Sequence, residues 1–178
     1  MVSLQGNHEP NDLKYRYTVP PIRKNITHLN TSPESILGLL QDNSDFSIFY
    51  NLVIKAELYG RLNDIQANFT MFVPSNEYLL MTYSPQFFEN MDLYTAREIV
   101  LFHTLNKKVS YEMLSSSQAM YLHTMIDDSM YSRLMCNWSQ ASGVRLHRNT
   151  FIKVPNIYRK NGLIHVVDNI MIPSTLMN

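Results

Sequence analysis

The chain has 178 residues, of which 45% are hydrophobic, and its composition does not break in the middle, so it is predicted to form one domain around a single core. Its 15 basic and 15 acidic side chains give a formal net charge of zero, which excludes the overall positive charge that attracts nucleic acid or an anionic membrane. The single cysteine, Cys136, excludes an intramolecular disulfide, and no apolar run reaches the roughly 20 residues of a membrane-spanning helix.

The first 29 residues are predicted to form an extended arm. They are polar, contain Pro10, Pro20 and Pro21, and show no sustained hydrophobic period. They lack the charged start and apolar stretch of a signal peptide, and no apolar extension follows the last predicted strand to act as a lipid anchor. We therefore expect residues 30–178 to form the folded domain, either as a fragment of a secreted protein or within a protein that stays inside a cell or particle.

Two helices are predicted after the arm. Ser32 followed by Pro33 is the pattern of an N-cap with proline at the first helical position. After Asn43, apolar residues from Phe46 to Leu58 recur at three- and four-residue steps, which is the period of a buried helix face. Gly60 stands where a helix terminator is expected.

The middle of the chain is predicted to alternate between a strand and short helices. A short strand is expected to end at Pro74, with Ser75 or Asn76 capping the helix that follows. Helical periodicity then extends from Thr95 to Leu105, and Ser110 is predicted to cap a further helical turn.

From Ala119 onward the pattern changes to short runs with strand-like alternation, separated by turn residues. Asn161 and Gly162 form a turn signal directly before the last of these runs. Helices followed by strands indicate an α+β fold with an antiparallel or mixed sheet. The predicted strands are Met120–Ile126, Tyr131–Cys136, Val144–His147, Phe151–Val154 and Leu163–Met171.

Three segments, in this order, resemble the fasciclin (fasciclin I-like) domain family. Phe69-Thr-Met-Phe-Val-Pro-Ser-Asn-Glu77 is similar to the first signature of that family, and Ile99-Val-Leu-Phe-His-Thr-Leu105 to its central segment. Gly162-Leu-Ile-His-Val-Val-Asp-Asn-Ile-Met-Ile-Pro173 is similar to the second signature nearly throughout. The resemblance implies a single α+β domain, a compact β-wedge or sandwich of about seven strands flanked by several short helices.

The resemblance also implies a function. Members of this family act as protein–protein interaction modules in cell adhesion or extracellular-matrix scaffolding, so the expected partner is an adhesion receptor, a matrix protein or a capsid or scaffold protein. Two contact surfaces are carried over from the family: an exposed loop from Asn156 to Lys160, and the flank of the central helix. The residues expected to touch the partner are Asn156, Ile157, Tyr158, Phe102 and His103.

One family feature is altered in this chain. In animal members, an Asp-Ile pair just before the second signature is proposed to engage integrins. Here the pair is Asn156 and Ile157, so the carboxylate best able to coordinate a receptor's metal ion is missing. We therefore expect no adhesion through this pair that depends on divalent cations.

A further set of residues is expected to hold the fold. In the family, two histidines and the asparagine of the first signature share an internal hydrogen-bond network, which implies structural roles for His103, His165 and Asn76. Asp168 lies among apolar residues and is expected to be a partnered polar group that fixes strand register, since an unpaired buried carboxylate is costly. The residues expected to be structural are Pro74, Asn76, His103, Gly162, His165 and Asp168.

The sequence contains no pattern that supports catalysis or a cofactor. His165 and Asp168 are three residues apart on a predicted strand, so their side chains are expected to point to opposite faces. The six histidines show no close metal-ligand spacing, and a phosphate-binding loop and a nucleophile elbow are both missing from the sequence. We therefore predict a protein without enzymatic activity, bound metal or cofactor.

Four N-glycosylation sequons begin at Asn25, Asn30, Asn68 and Asn137. They favour an extracellular or cell-surface location without deciding it. In the alternative hypothesis the protein has the same fold but a different location, as a structural or scaffold component of an intracellular assembly or of a large virus particle. The asparagine-, isoleucine-, tyrosine- and methionine-rich composition is only suggestive of that alternative.

Overall fold

A computed structural model describes residues 30–127 and 130–177. Residues 1–29, for which an extended arm is predicted, lie outside the described residues. Within the described part, seven strands form one sheet in the order β2-β1-β7-β6-β5-β4-β3, and short helices pack against it. This architecture confirms the predicted α+β class with a mixed sheet.

The seven described α-helices lie between residues 36 and 114, where they alternate with only two strands. The described α-helices are α1 (Ile36–Asp42), α2 (Ser47–Lys55), α3 (Tyr59–Leu62), α4 (Asn76–Leu80), α5 (Pro85–Glu89), α6 (Leu93–Phe102) and α7 (Tyr111–Leu114). Short 3-10 helices cover Ser44–Phe46 and Ser174–Leu176.

Of the seven described strands, five follow one another after α7. They are β1 (Phe69–Pro74), β2 (Thr104–Leu105), β3 (Ala119–His123), β4 (Arg133–Ser139), β5 (Gly143–Leu146), β6 (Thr150–Arg159) and β7 (Gly162–Val167). Strands β3 to β7 overlap the five predicted runs, although β6 is longer than predicted and β7 is shorter.

Strand β7 lies at the centre of the sheet. It pairs in parallel with β1, from Phe69 opposite Gly162 to Pro74 opposite Val167, and antiparallel with β6 on its other side. Every residue of β1 and β7 is buried. Strands covered on both faces read as near-continuous apolar runs, and β1 and β7 both have that pattern.

The sheet closes on itself at one corner. Leu105 of β2 forms an antiparallel bridge with Thr124, which directly follows β3, although β2 and β3 are the two outermost strands. The backbone N–H of Met125 donates to the carbonyl oxygen of Thr104 at 2.9 Å. This bridge joins the two ends of the strand order and covers part of both edges.

Helix α1 begins three residues later than the sequence predicted. Its N-cap is Ser35, whose hydroxyl oxygen accepts a hydrogen bond from the backbone N–H of Gly38 at 3.0 Å. Ser32 and Pro33 instead form a preceding turn, in which the carbonyl oxygen of Ser32 accepts from the N–H of Ser35 at 3.0 Å. The prediction that Ser32 caps this helix is wrong because Ser35 offers the same hydroxyl beside the apolar stripe.

Helix α2 ends at a left-handed residue that is not glycine. Glu57 has φ 59°, its N–H donates to the carbonyl of Ile54 at 3.0 Å, and the N–H of Leu58 donates to the carbonyl of Val53 at 3.3 Å. This pair of bonds defines a Schellman motif with Glu57 in the position that glycine usually occupies. Gly60, predicted as the terminator, lies inside α3 instead.

Two boundaries in the central segment also differ from the prediction. Helix α6 ends at Phe102 and not at Leu105, because Thr104 and Leu105 pair with β1 as a strand. Helix α5 was not predicted, although Pro85 stands at its first helical position after Ser84. The predicted cap at Ser110 is confirmed: its hydroxyl oxygen accepts from the N–H of Met113 at 3.3 Å.

Candidate partner-binding site and the signature histidines

Asn156 lies in a bulge of β6, and its backbone N–H and side-chain amide make hydrogen bonds within the domain. Between the pairs Val154–Val166 and Ile157–Ile164, β6 advances three residues while β7 advances two, so β6 carries one extra residue. Asn156 there adopts φ 59°, a left-handed conformation that asparagine tolerates better than most residues.

The side chain of Asn156 links the bulge to α7. Its Oδ1 accepts a hydrogen bond from the backbone N–H of Tyr111 at 2.9 Å. Its Nδ2 lies 3.1 Å from each carboxylate oxygen of Glu112, and its backbone N–H donates to Nδ1 of His165 at 3.1 Å. The Asn156 amide is therefore occupied by contacts within the domain.

The segment from Asn156 to Lys160 is not the exposed loop that was expected. It belongs to β6 as far as Arg159, because backbone pairing with β7 continues through the bulge. Ile157 is partly buried against the core, whereas Tyr158 is 56% exposed. Of the three predicted contact residues here, only Tyr158 presents most of its side chain to solvent.

The second predicted surface is buried. Phe102 is 2% exposed and His103 is fully buried, so neither side chain can touch a partner on the flank of α6 in this conformation. The expectation fails because these residues end α6 on the side that faces the core. The Phe102 ring packs edge-on against the His147 ring, with centroids 5.2 Å apart.

His103 joins the end of α6 to the segment after β7. Its Nδ1 lies 2.7 Å from the carbonyl oxygen of Ile99, to which it donates, and its Nε2 accepts from the backbone N–H of Met171 at 3.1 Å. Burial lowers the pKa of this imidazole to about 4, so the ring is neutral at pH 7.

His165 makes the corresponding contacts from β7 with the opposite tautomer. Its Nε2 donates to the carbonyl oxygen of Val109 at 2.8 Å, while its Nδ1 accepts from the N–H of Asn156. The ring stacks on Phe72, with centroids 5.7 Å apart. Burial lowers the pKa of His165, although the nearby Glu112 carboxylate opposes the shift.

These contacts restrict the chemistry that the signature residues can perform. Each ring has one nitrogen that donates and one that accepts, which leaves no nitrogen free to bind a metal or take a proton from a substrate. Burial raises the pKa of the Cys136 thiol to about 11, which removes it as a nucleophile at neutral pH. In residues 30–127 and 130–177, no group of three or more His, Cys, Asp or Glu side chains could hold a metal ion.

Asn76 does not share a network with the two histidines. Its Oδ1 accepts from the N–H of Ile48 at 3.0 Å, and its Nδ2 donates to the carbonyl of Ser44 and the hydroxyl of Ser47. These bonds hold the start of α2 against the start of α4. The single network implied by the family resemblance is therefore corrected to three separate junctions, centred on Asn76, His103 and His165.

The remaining predicted structural residues lie along β7 and its neighbours. The carboxylate of Asp168 accepts from the N–H of Phe151 at 2.8 Å and lies 3.6 Å from Nζ of Lys153. Pro74 is buried and ends β1 opposite Val167. A Cβ on Gly162 would collide with the carbonyl oxygen of Phe69, so this position requires the close backbone approach that only glycine allows.

The sequon asparagines differ in their surroundings. Asn30 and Asn68 are exposed, and Asn68 directly precedes β1. Asn137 lies within β4, and its Oδ1 is buried without a hydrogen-bond partner. Asn25 lies outside the described residues.

Asn161 was recognised from the sequence only as part of a turn. It is fully buried, its Oδ1 accepts from the N–H of Ile36 at 2.8 Å, and its Nδ2 donates to the carbonyls of Leu62 and Asp64. It therefore connects the start of β7 with α1 and the end of α3. The Asn-Gly pair carried a turn signal, but no local pattern indicates these distant partners.

Comparison with known proteins decides the family. The family model described as the fasciclin domain matches residues 44–173. The chain belongs to the fasciclin domain family. The resemblance proposed from the three segments is thereby confirmed, and β1, α6 and β7 are the elements that carry the family's signatures.

A solved structure supports the same fold. The chain is similar to a FAS1 domain pair from the insect cell adhesion molecule fasciclin I, with a TM-score of 0.60 and 19% sequence identity. The match covers 79% of this chain and 51% of that chain, so the fasciclin domain described here spans about half of that structure. The comparison with curated proteins gives no match.

None of the described helices has the length and apolar composition needed to cross a membrane.

Proposed function

We propose that this fasciclin domain is a non-enzymatic protein–protein interaction module that serves cell adhesion or extracellular-matrix scaffolding. The observation that carries the proposal is the match to the fasciclin domain over residues 44–173. The geometry is consistent with it, because the signature residues His103, His165 and Asn76 use their polar atoms to join elements of the fold.

Tyr158 is the residue we assign to partner contact. It is 56% exposed and lies on β6 directly after the bulge that contains Asn156, in regular pairing with Leu163 of β7. Tyrosine offers a large contact area at low conformational cost and is enriched at protein interfaces. Because the Oδ1 of Asn156 accepts from Tyr111 and its Nδ2 is bonded to Glu112, the Asn156 amide itself is not free to coordinate a receptor's metal ion.

A plate-adhesion assay tests the proposal. Cells or matrix proteins are offered to the purified domain in the presence of calcium and magnesium or of a chelator. We expect adhesion in both conditions, a marked loss with Tyr158→Ala, and no loss with Tyr94→Ala, which removes a tyrosine of similar exposure (60%) on α6. Adhesion that the chelator and Asn156→Ala both abolish would contradict the proposed contact and restore an integrin-type mechanism.

A further inference from the structure

The zero net charge of the chain conceals a strong asymmetry. Residues 30–102 contain nine acidic and three basic side chains, a net charge of −6, whereas residues 103–178 contain four acidic and eight basic side chains, a net charge of +4. The first of these stretches supplies β1 and six of the seven described α-helices, and the second supplies all of β2 to β7, together with α7. Residues 1–29 carry the remaining net charge of +2, and the difference between the two described stretches points to surfaces of opposite charge.

One side of the sheet at β3, β4 and β5 faces solvent and carries cations around an apolar centre. Tyr121 on β3 and Met135 on β4 are directly opposite each other and are 60% and 42% exposed. Arg133 lies on the same side of β4, and Arg145 on β5 pairs across from Asn137. We call Tyr121, Arg133, Met135 and Arg145 the basic sheet face.

The cations of the basic sheet face have no partners within the described part of the chain. Neither guanidinium group makes a hydrogen bond or ion pair there, and the surrounding strand positions supply no carboxylate. The two arginine Cα atoms are about 14 Å apart along the sheet, with the Tyr121–Met135 pair between them. Tyrosine, methionine and arginine are the residue types enriched at protein interfaces.

A surface of opposite charge lies where α1, α2 and α4 meet. The Nδ2 of Asn76 donates to the carbonyl of Ser44 at 3.0 Å, which holds the two segments that carry Asp45 and Glu77 together. Asp42, Asp45 and Glu77 are exposed, and Met81, one helical turn after Glu77, is 69% exposed. We call Asp42, Asp45, Glu77 and Met81 the acidic helix face.

The acidic helix face also lacks internal partners. The ion pairs found between described residues join Lys153 to Asp168 and Lys160 to Glu34, so none involves these three carboxylates. The sequence contains no lysine or arginine from residue 30 to 54 or from residue 62 to 96. Helix α1 contacts β7 and α2 contacts α6, whereas β3 to β5 lie beyond β6 in the sheet order. The two faces therefore belong to different parts of the fold.

We propose that copies of this chain associate head to tail, with the basic sheet face of one copy on the acidic helix face of the next. Each face offers charges that the other lacks, and each has an exposed apolar side chain at its centre or rim. A second copy is the partner that always carries the complementary face. Because the two faces are different, the contact is heterologous, and it extends into a chain or ring unless a face is blocked.

Sedimentation velocity of the full chain over a range of concentrations tests the association. At an ionic strength of about 0.01 M we expect the average mass to rise with concentration, and at about 1 M we expect a monomer, because screening shortens the reach of the charges roughly tenfold. Tyr121→Ala should weaken the association at least about tenfold, as truncation of a central interface tyrosine does.

Two charge-reversed variants define the geometry of the contact. Arg133→Glu with Arg145→Glu removes the basic sheet face, and Asp45→Lys with Glu77→Lys removes the acidic helix face, so each variant alone should be monomeric. Mixed together they should assemble again, because the intact acidic helix face of the first variant meets the intact basic sheet face of the second, and the two reversed faces are also complementary to each other. Lys107→Glu with Lys108→Glu makes the same charge change on an exposed turn and should leave assembly unchanged.

Several results would overturn the proposal. If the unmodified chain stays monomeric at low salt, self-association is excluded. This conclusion holds whether or not the chain binds poly-glutamate or a single-stranded oligonucleotide. If the two charge-reversed variants fail to pair when mixed, the head-to-tail arrangement is excluded. If the lysine control also loses assembly, the contact cannot be assigned to these two faces. Circular dichroism and thermal melts of every variant separate loss of contact from loss of fold.

Discussion

Asn156 connects three parts of the domain from a single bulge. Its backbone N–H reaches His165 in β7, its Oδ1 reaches the first residue of α7, and its Nδ2 reaches the Glu112 carboxylate. An aspartate can replace the acceptor but not the donor. The family position that carries a carboxylate in other members is therefore occupied here by an amide that faces an acidic neighbour.

Asn156→Asp is expected to lower the melting temperature at neutral pH. The new carboxylate would stand about 3 Å from the carboxylate of Glu112, where the amide now donates, and like charges at that distance repel. A second substitution, Glu112→Gln, should restore much of the loss because it supplies a donor to the new carboxylate. Thermal melts of both single variants and the double variant measure this coupling. Additive effects of the two substitutions would disprove the interaction.

Glu57→Gly is expected to stabilise the domain. Glu57 is exposed and holds φ 59° at the end of α2, a conformation that costs a residue with a Cβ roughly 1–2 kcal/mol. Chemical denaturation should therefore show an increase in the free energy of unfolding. The increase should not exceed about 1 kcal/mol, because glycine also gains conformational entropy in the unfolded chain, which opposes the stabilisation. Glu57→Ala keeps the Cβ and serves as the control. Equal stability of the glycine and alanine variants would show that the backbone conformation carries no cost.

At the scale of elements, β7 is the central strand of the core. Ile164 and Val166 are 0% and 6% exposed, and both pair with β1 on one side and β6 on the other. Ile164→Ala is expected to cost about 2–5 kcal/mol, by removing buried methyl groups and leaving a cavity. Val154→Ala on β6, where the side chain is 49% exposed, should cost far less. Denaturant unfolding of the two variants provides the comparison, and similar midpoints would argue against β7 as the core strand.

Elements whose signals are local could be predicted from the sequence. The apolar stripe of α2, the Ser110 cap of α7 and the alternating strands after Ala119 all follow from residues close to one another. Thr104 and Leu105 could not be placed, because their strand state depends on pairing with β1, more than thirty residues earlier. The end of α2 was misplaced because the sequence offers Gly60, whereas the backbone turns at Glu57.

The candidate site was predicted less well than the fold. The resemblance drew attention to His103 and Asn156, but whether such residues face solvent depends on the bulge in β6 and on the side of α6 that packs inward. Neither follows from spacing along the chain. The net charge of zero likewise concealed the acidic and basic parts, which become informative only when the side chains are assigned to helices and strands.

For the molecule as a whole, the buried histidines predict sensitivity to mild acid. Burial lowers the pKa of His103 to about 4, whereas an unfolded histidine titrates near 6.5, so unfolding takes up protons below about pH 6.5. The stability contributed by the neutral ring is complete above that pH and is lost as the pH falls towards 4. The titration of His103 alone should lower the free energy of unfolding by about 2 kcal/mol between pH 7 and pH 5. The lowered pKa values of His147 and His165 act in the same direction.

Urea unfolding at pH 7, 6 and 5 measures this loss. A free energy of unfolding that stays level from pH 7 to pH 5 would contradict the neutral, hydrogen-bonded state assigned to His103.

The central position of β7 has a consequence for how the protein is made. Until the ribosome has released residues through Val167, β1 has no parallel neighbour and β6 has an open edge, so the growing chain holds two incomplete sheets. Pairing of strands that are far apart in sequence is slow, and exposed edges invite aggregation during the wait. A nascent chain stalled before Gly162 should therefore be sensitive to protease and dependent on chaperones, and resistance should appear abruptly once β7 is free to insert.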